Sequence, residues 1–450
     1  MKRAILSAVT AAMFFAACTD KEDLVPQNQV QDEPIVNEVV QSNVITLEEA
    51  RENLESLLKD FSSLSKRGGD DFSSKKISDG FTLKSDKRSI SKSTEETPEA
   101  KIHVFNFENN GGFAIMSATR DMPELLAITE GGSIDTNEVI DDPGLITFLS
   151  GLEGKLYQQA PKYDNNGNIN TPEPKVKYKI NVTCSPYVRK LHNPIGGYCK
   201  VHWYQSFPYN KCCPLNGGNY CKVGCVAVAC AQLMSIYKYP DSYDAYSFHW
   251  NDMILGNNND DVAKLMRQLG SIKNLNMSYG LNRSSADDEN IPHTLENFGY
   301  RKGGVCKSYN KREVLEEVKK GYSVILGGYS HKINQTVFGI KYNTYHTGGH
   351  SWLVHGALTL SRTITETYST IPPKELTPDS DDGIVEFITR NENVDYILCN
   401  FGWSDGSSNG YYWGDSFNTN SGPNYSESIS KASEDHFYQY KITMITGIRK

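Results

Sequence analysis

Three observations predict an α+β fold. Residues 223–237 place apolar side chains at Val226, Ala229, Cys230, Leu233, Met234, Ile236 and Tyr237, the spacing of a buried helix. Mainly strand-like stretches follow it: Tyr322–Gly328, His350–Gly356, Val385–Thr389, Tyr396–Cys399, Tyr411–Trp413 and Phe437–Met444. One helix against an antiparallel sheet is the architecture that this order implies. Upstream, Ile102–Phe107, the turn Asn109-Asn110-Gly111 and Phe113–Ser117 have the pattern of a β-hairpin, which predicts a second, smaller α+β unit.

The 450 residues carry a formal net charge of −8. No basic stripe is interleaved with aromatics, so a nucleic-acid partner is excluded. No segment after the N-terminus has the run of about 18 apolar residues that crosses a bilayer. No glycine-rich phosphate loop is present, and no cofactor is implied. Cys212-Cys213 lacks the CxxC spacing of a metal site, so no metal is expected.

In chain order, Lys2 and Arg3 precede the apolar run Ala4–Ala17, the pattern of an export signal. Ala16 and Ala17 before Cys18 resemble the lipobox of bacterial lipoproteins. That resemblance implies lipidation at Cys18, a membrane anchor, and an exported product on the outer membrane or cell surface, with release after processing left open. Residues 1–18 are therefore read as the signal with its lipidated cysteine, and the polar, acidic stretch 19–44 as a tether. Thr46 and Glu49 form a capping-box signature for a helix carrying Leu47, Ala50, Leu54, Leu57 and Leu58 on one face. Loops and one short strand are expected over 62–100, then the hairpin, a third strand at Leu125–Thr129, and an amphipathic helix opening at Pro143. Residues 159–182 read as a polar, basic connector and a processing site. The first unit spans 45–175 and the second 176–450.

The ten cysteines divide the chain chemically, because apart from Cys18 none precedes Cys184. With Cys225 set aside, eight remain in the second unit (Cys184, Cys199, Cys212, Cys213, Cys221, Cys230, Cys306 and Cys399), a number compatible with disulfides. Gly224 frees the backbone where the helix begins, and Cys225 follows in the first turn. Unpaired amides and the helix dipole are expected to favour its thiolate there. A cysteine nucleophile needs a base, and His350, directly after Gly348-Gly349 at the start of a strand, is best placed. His355 lies five residues on and points to the opposite face. Gln205 offers a side-chain donor for an oxyanion, with the Cys225 amide as partner. The side-chain oxygen of Asn400, before Phe401-Gly402-Trp403, offers an acceptor for the imidazole. His103 alternates within a strand and reads as structural.

The blocks Gln205–Asn210, Gly224-Cys225-Val226-Ala227, Ala231-Gln232-Leu233-Met234, Tyr237–Pro240, Gly349-His350-Ser351-Trp352, Asn400-Phe401-Gly402-Trp403 and Asn409-Gly410-Tyr411 resemble the streptopain-like cysteine peptidases. Val104-Phe105-Asn106 with Gly111–Ser117 resembles that family's inhibitory propeptide. The resemblance implies a papain-like cysteine protease fold preceded by a small α+β propeptide domain. It also implies a cysteine endopeptidase made as a zymogen, with protein or peptide substrates and its own propeptide as intramolecular inhibitor. By it, Cys225 is the nucleophile, His350 the general base and acid, Gln205 an oxyanion donor, and Asn400 with the adjacent ring the support of the histidine. Gly349, Trp352, Phe401 and Trp403 line or brace the site. Three departures stand out: Phe401 where tryptophan is usual, Val223 where threonine is usual, and His355 where an acidic residue is common. The rival reading is a catalytically impaired papain-like lipoprotein that serves as a binding module.

Overall fold

The computed structural model of the protein describes residues 44–65, 72–85, 101–159, 178–184, 194–330, 336–341, 349–369, 384–418 and 440–450. The expectations for Cys18, for most of the tether and for the greater part of the connector lie outside the described residues.

The N-terminal unit forms as its pattern requires. Helix α1 (Leu47–Ser65) is capped by Thr46, whose Oγ1 accepts the Glu49 amide at 3.2 Å. It buries Leu54, Leu57, Leu58 and Phe61. Strands β1 (Ile77–Lys84), β2 (Lys101–Phe107), β3 (Phe113–Ser117) and β4 (Leu125–Thr129) pair in that order. Helix α2 (Pro143–Gln159) opens on Asp142, whose Oδ1 accepts the amides of Gly144 at 2.8 Å and Leu145 at 3.2 Å. His103 is structural, with its ring bonded to Thr82 and to the Ile45 carbonyl.

These strands do not close into a sheet of their own. β4 pairs with β10 (Gly410–Trp413), matching Thr129 to Gly410, Ile128 to Tyr411 and Ala127 to Tyr412. Beyond β10 the sheet continues through β9 (Ile384–Asn400), β8 (His350–Ser369), β7 (Val324–Ser330), β11 (Tyr440–Thr446) and β6 (Val305–Ser308), all antiparallel. The smaller unit expected upstream therefore shares an apolar core with the strands that follow. Phe148 of α2, for example, packs edge-on against Tyr412 of β10 at 4.7 Å between ring centres.

Period-two alternation in β7, β8 and β11 separates two cores. Leu326, Val354 and Met444 face α2 and helix α7 (Lys311–Lys319). Ile325, Leu353 and Ile445 face helix α3 (Cys225–Tyr237), behind which lie α5 (Asn259–Leu269) and α6 (Ile291–Asn297). A short helix, α4 (Trp250–Ile254), precedes α5. The α+β expectation holds as a sheet between two helical layers.

Two expectations are corrected. Tyr178–Cys184, placed at the end of the connector, is strand β5 along β8, with Ile364 opposite Cys184. Tyr178, Ile180, Val182 and Cys184 alternate with polar residues, the strand period that the lysines obscured. The stretches 385–389 and 396–399 are one strand, β9, because β8 and β9 remain paired out to Ser369 and Ile384.

His355 on β8 is buried, and its Nδ1 accepts the Cys199 amide at 3.3 Å. Burial, reinforced by Lys200 and His202, lowers its pKa to about 3. The unfolded chain protonates this ring near 6.5. Stability from His355 is thus fully present above about pH 6.5 and is lost as pH falls toward 3, by at most about 1.4 kcal/mol per pH unit. His355→Gln should flatten the acid side of the stability–pH curve in thermal unfolding, and an unchanged slope contradicts this. Phe148→Ala should cost about 3–5 kcal/mol in urea unfolding of the full chain, whereas a loss below about 1 kcal/mol would show that α2 is not packed as described.

Candidate active site

Helix α3 begins abruptly because Gly224, at φ +94°, turns the chain into it. A Cβ at this position would lie 2.7 Å from the Met277 sulfur, so conformation and space both demand glycine. Cys225 is the first helical residue, and the next residues bury their apolar face. Cys230 belongs to that face, fully buried, with its thiol pushed far up by burial.

His350 is the first residue of β8, next to Gly349 at φ +120°. Its Nε2 lies 2.8 Å from the Phe401 carbonyl oxygen. A carbonyl only accepts, so this contact assigns the proton to Nε2 and leaves the lone pair on Nδ1. Three rings surround the imidazole: Trp352 stacked at 6.1 Å, Phe401 tilted at 6.4 Å and Trp403 edge-on at 6.4 Å. Cys225, His350, Gly349, Gln205 and Trp403 all border one cavity of about 230 Å³.

Asn400 is not used as the sequence suggested. Its Oδ1 accepts from Gln232 Nε2 at 2.9 Å and from the Gly402 amide at 3.1 Å, while its Nδ2 donates to the Val201 carbonyl at 2.9 Å. The acceptor for the imidazole is the carbonyl of the next residue. Asn400 shapes the loop that presents this carbonyl. Gln232, on the buried face of α3, also donates to the Trp203 carbonyl at 3.0 Å and so ties the helix to both sides of the cleft. The signal for it was available: an amide on an otherwise apolar helix face needs buried partners.

The thiol corrects a second expectation. The amides of Ser351, Val226 and Cys225 itself favour its thiolate, as a helix start should. Burial is the larger cause, the buried carboxylate of Asp288 adds to it, and the Cys225 pKa rises to about 11. None of the cysteines at 199, 212, 213, 221, 225, 230, 306 and 399 is in a disulfide.

The N-terminal unit reaches the same cavity. Asp141 and Pro143 line it together with Cys225 and His350. Gly144 lies so close to Phe401 that a Cβ there would be 2.1 Å from the ring. The Ile140 amide donates to the Lys341 carbonyl at 2.9 Å, and the Phe338 amide donates to Glu153 of α2 at 3.1 Å. Helix α2 is thus seated against the ring beside the imidazole and against the 336–341 segment upstream of His350.

With this geometry in hand, comparison with known proteins is specific. Residues 203–412 match the Peptidase C10 family, and residues 42–155 match the Spi protease inhibitor family. Streptopain of Streptococcus pyogenes (serotype M28) is 24% identical over 310 residues, covering 58% of this chain and 69% of its own. The thiol protease/hemagglutinin PrtT of Porphyromonas gingivalis is 26% identical over 161 residues, covering 35% of this chain and 18% of its own. Among solved structures, a Prevotella intermedia prointerpain A fragment aligns with a TM-score of 0.48 at 20% identity, covering 78% of this chain and 96% of that one. Active interpain A aligns with a TM-score of 0.34 at 18% identity, covering 58% and 97%. The chain thus carries a Peptidase C10 domain at residues 203–412 behind a Spi protease inhibitor domain at residues 42–155, the arrangement of a cysteine protease made as a zymogen.

Proposed function

We propose that Cys225 is the nucleophile of this peptidase and His350 its general base and acid. The observation that carries the assignment is the shared cavity, bordered by the first residue of α3, the first residue of β8 and Gln205. The Cys225 sulfur attacks a peptide carbonyl after its proton passes to the imidazole. The carbonyl oxygen becomes an oxyanion, stabilised by the Gln205 side-chain amide and the Cys225 N–H. The imidazolium then protonates the departing amine, leaving a thioester. Water, deprotonated by His350, hydrolyses the thioester and restores the thiol. The Phe401 carbonyl and the rings of Trp352, Phe401 and Trp403 hold the imidazole in orientation.

The inhibitor unit, taken as residues 45–175, acts through α2. A helix seated on Phe401, with a flank lining the cavity, obstructs access to the thiol. Residues 176–450 are the catalytic part. The N-terminal pattern ending at Cys18 supports export and lipid anchoring, with proteins or peptides as substrates.

Cys225→Ala should abolish casein cleavage and self-processing, while the thermal midpoint of the full chain stays within a few degrees of wild type. Undiminished cleavage would remove Cys225 from the mechanism. Gly144→Val should shorten the lag before self-processing, because any side chain at 144 pushes α2 off Phe401. The processed enzyme has lost residue 144 and should keep wild-type kcat/KM. A lag identical to wild type would contradict the seating of α2 as the source of latency.

A further inference from the structure

Three adjacent strands meet beneath the nucleophile in an unusual row. Ser351 of β8 pairs with Gly327 of β7, which pairs with Thr443 of β11. The row therefore reads hydroxyl, glycine, hydroxyl. Asp288, at the turn before α6, lies over it and is 3% exposed. Its Oδ1 accepts from Ser351 Oγ at 2.6 Å, and its Oδ2 accepts from Thr443 Oγ1 at 3.2 Å. A Cβ at Gly327 would sit 1.7 Å from Asp288 Oδ2, so the missing side chain makes the room that the carboxylate occupies. A buried carboxylate is costly and persists where hydrogen bonds compensate it. Ser351 follows His350 directly, and its backbone amide borders the Cys225 sulfur.

We propose that Asp288 is a positioning residue of the peptidase: through the Ser351 hydroxyl it fixes the start of β8, and with it His350 and the Ser351 amide, against Cys225. The proposal rests on the assignment of Cys225 as nucleophile. Asp288 touches neither substrate nor the reacting atoms. Its negative charge has a second consequence, since an anion near the sulfur disfavours the thiolate. The same buried carboxylate opposes ionisation of Cys230. Burial and the neighbouring Asp287 raise the Asp288 pKa, while the Ser351 and Thr443 hydroxyls lower it. The other titratable groups bordering the cavity are Asp141, Tyr204, Lys222, Arg283 and His350, contributed by different segments.

Position and charge separate by mutation. Asp288→Asn keeps the shape and an acceptor for Ser351 but removes the charge. Ser351→Ala cuts the link but keeps the charge. Thr443→Val removes the hydrogen bond on the side away from the nucleophile. The full-length protein and its variants, each after self-processing, are assayed with a peptide substrate across pH, with thermal midpoints measured alongside. Asp288→Asn should move the acid limb of kcat/KM down by about one pH unit, because the thiolate forms more readily. Ser351→Ala should lower kcat/KM about tenfold or more, and adding Asp288→Asn should cost no further activity beyond that shift, the signature of residues acting as one unit. Thr443→Val should stay within about twofold of wild type.

An unmoved acid limb in Asp288→Asn, additive losses in the double variant, or a Thr443→Val loss equal to that of Ser351→Ala would each overturn the proposal. If Asp288→Asn does not fold, the contrast between Ser351→Ala and Thr443→Val still decides it. Cys225→Ala run in parallel separates the two levels. Activity retained there removes the nucleophile assignment, whereas a dead Cys225→Ala with an unmoved Asp288→Asn limb removes only the role of Asp288.

Discussion

The buried amide of Gln232 joins what would otherwise be two independent pieces of the site. It lies seven residues after Cys225, about two helical turns, and so on the same side of α3. From there it donates to the Trp203 carbonyl and to Asn400 Oδ1. Asn400 in turn fixes Gly402 and Val201, and the loop between them presents the Phe401 carbonyl to His350. The nucleophile helix and the histidine's acceptor are thereby referenced to one another through buried hydrogen bonds. Leaving one such buried group unpaired costs about 1–3 kcal/mol, enough to fix a single arrangement. Apolar packing alone would tolerate sliding.

Latency follows from the same frame. The inhibitor unit continues the catalytic sheet through the β4–β10 ladder and shares its apolar core, so it is seated by many weak interactions, not by one lock. Helix α2 then presses on Phe401, the residue whose carbonyl holds the imidazole. For the thiol, magnitudes decide which influence wins. A helix start is worth about 0.3–1 kcal/mol at an exposed site. Burial acts in the other direction and raises the Cys225 pKa to about 11. Desolvation in the closed form outweighs the helix. Under the proposed activation, opening the cavity to water would rehydrate the sulfur and leave the helix amides in place, which favours the thiolate.

What was legible in the sequence was whatever depends on local period and spacing. The α3 face, the β2–β3 hairpin, the Thr46 cap and the meeting of Cys225 with His350 and Gln205 were all readable. What escaped depends on pairing between distant segments. β5 was obscured because Lys175, Lys177 and Lys179 made a linker of what the apolar alternation at 178–184 marked as a strand. Asn400 was given the right neighbourhood and the wrong bond, since sequence cannot tell whether an amide or the next carbonyl faces the ring. Asp288 left no signal at all. An acidic pair in a polar stretch reads as surface, and only the row Ser351–Gly327–Thr443, drawn from three strands, makes a place to bury it.

The central claim is that one cysteine is held unreactive by a seated inhibitor helix and becomes nucleophilic when that helix leaves. The most direct measurement is the rate at which an irreversible thiol-directed peptidase inhibitor labels Cys225 in the full-length chain and in the self-processed protein, with the modified residue identified by peptide mass mapping. The account predicts slow labelling of Cys225 before processing and markedly faster labelling of the same residue afterwards. Equal rates in the two forms, or modification mapped to another cysteine in the processed protein, would contradict it.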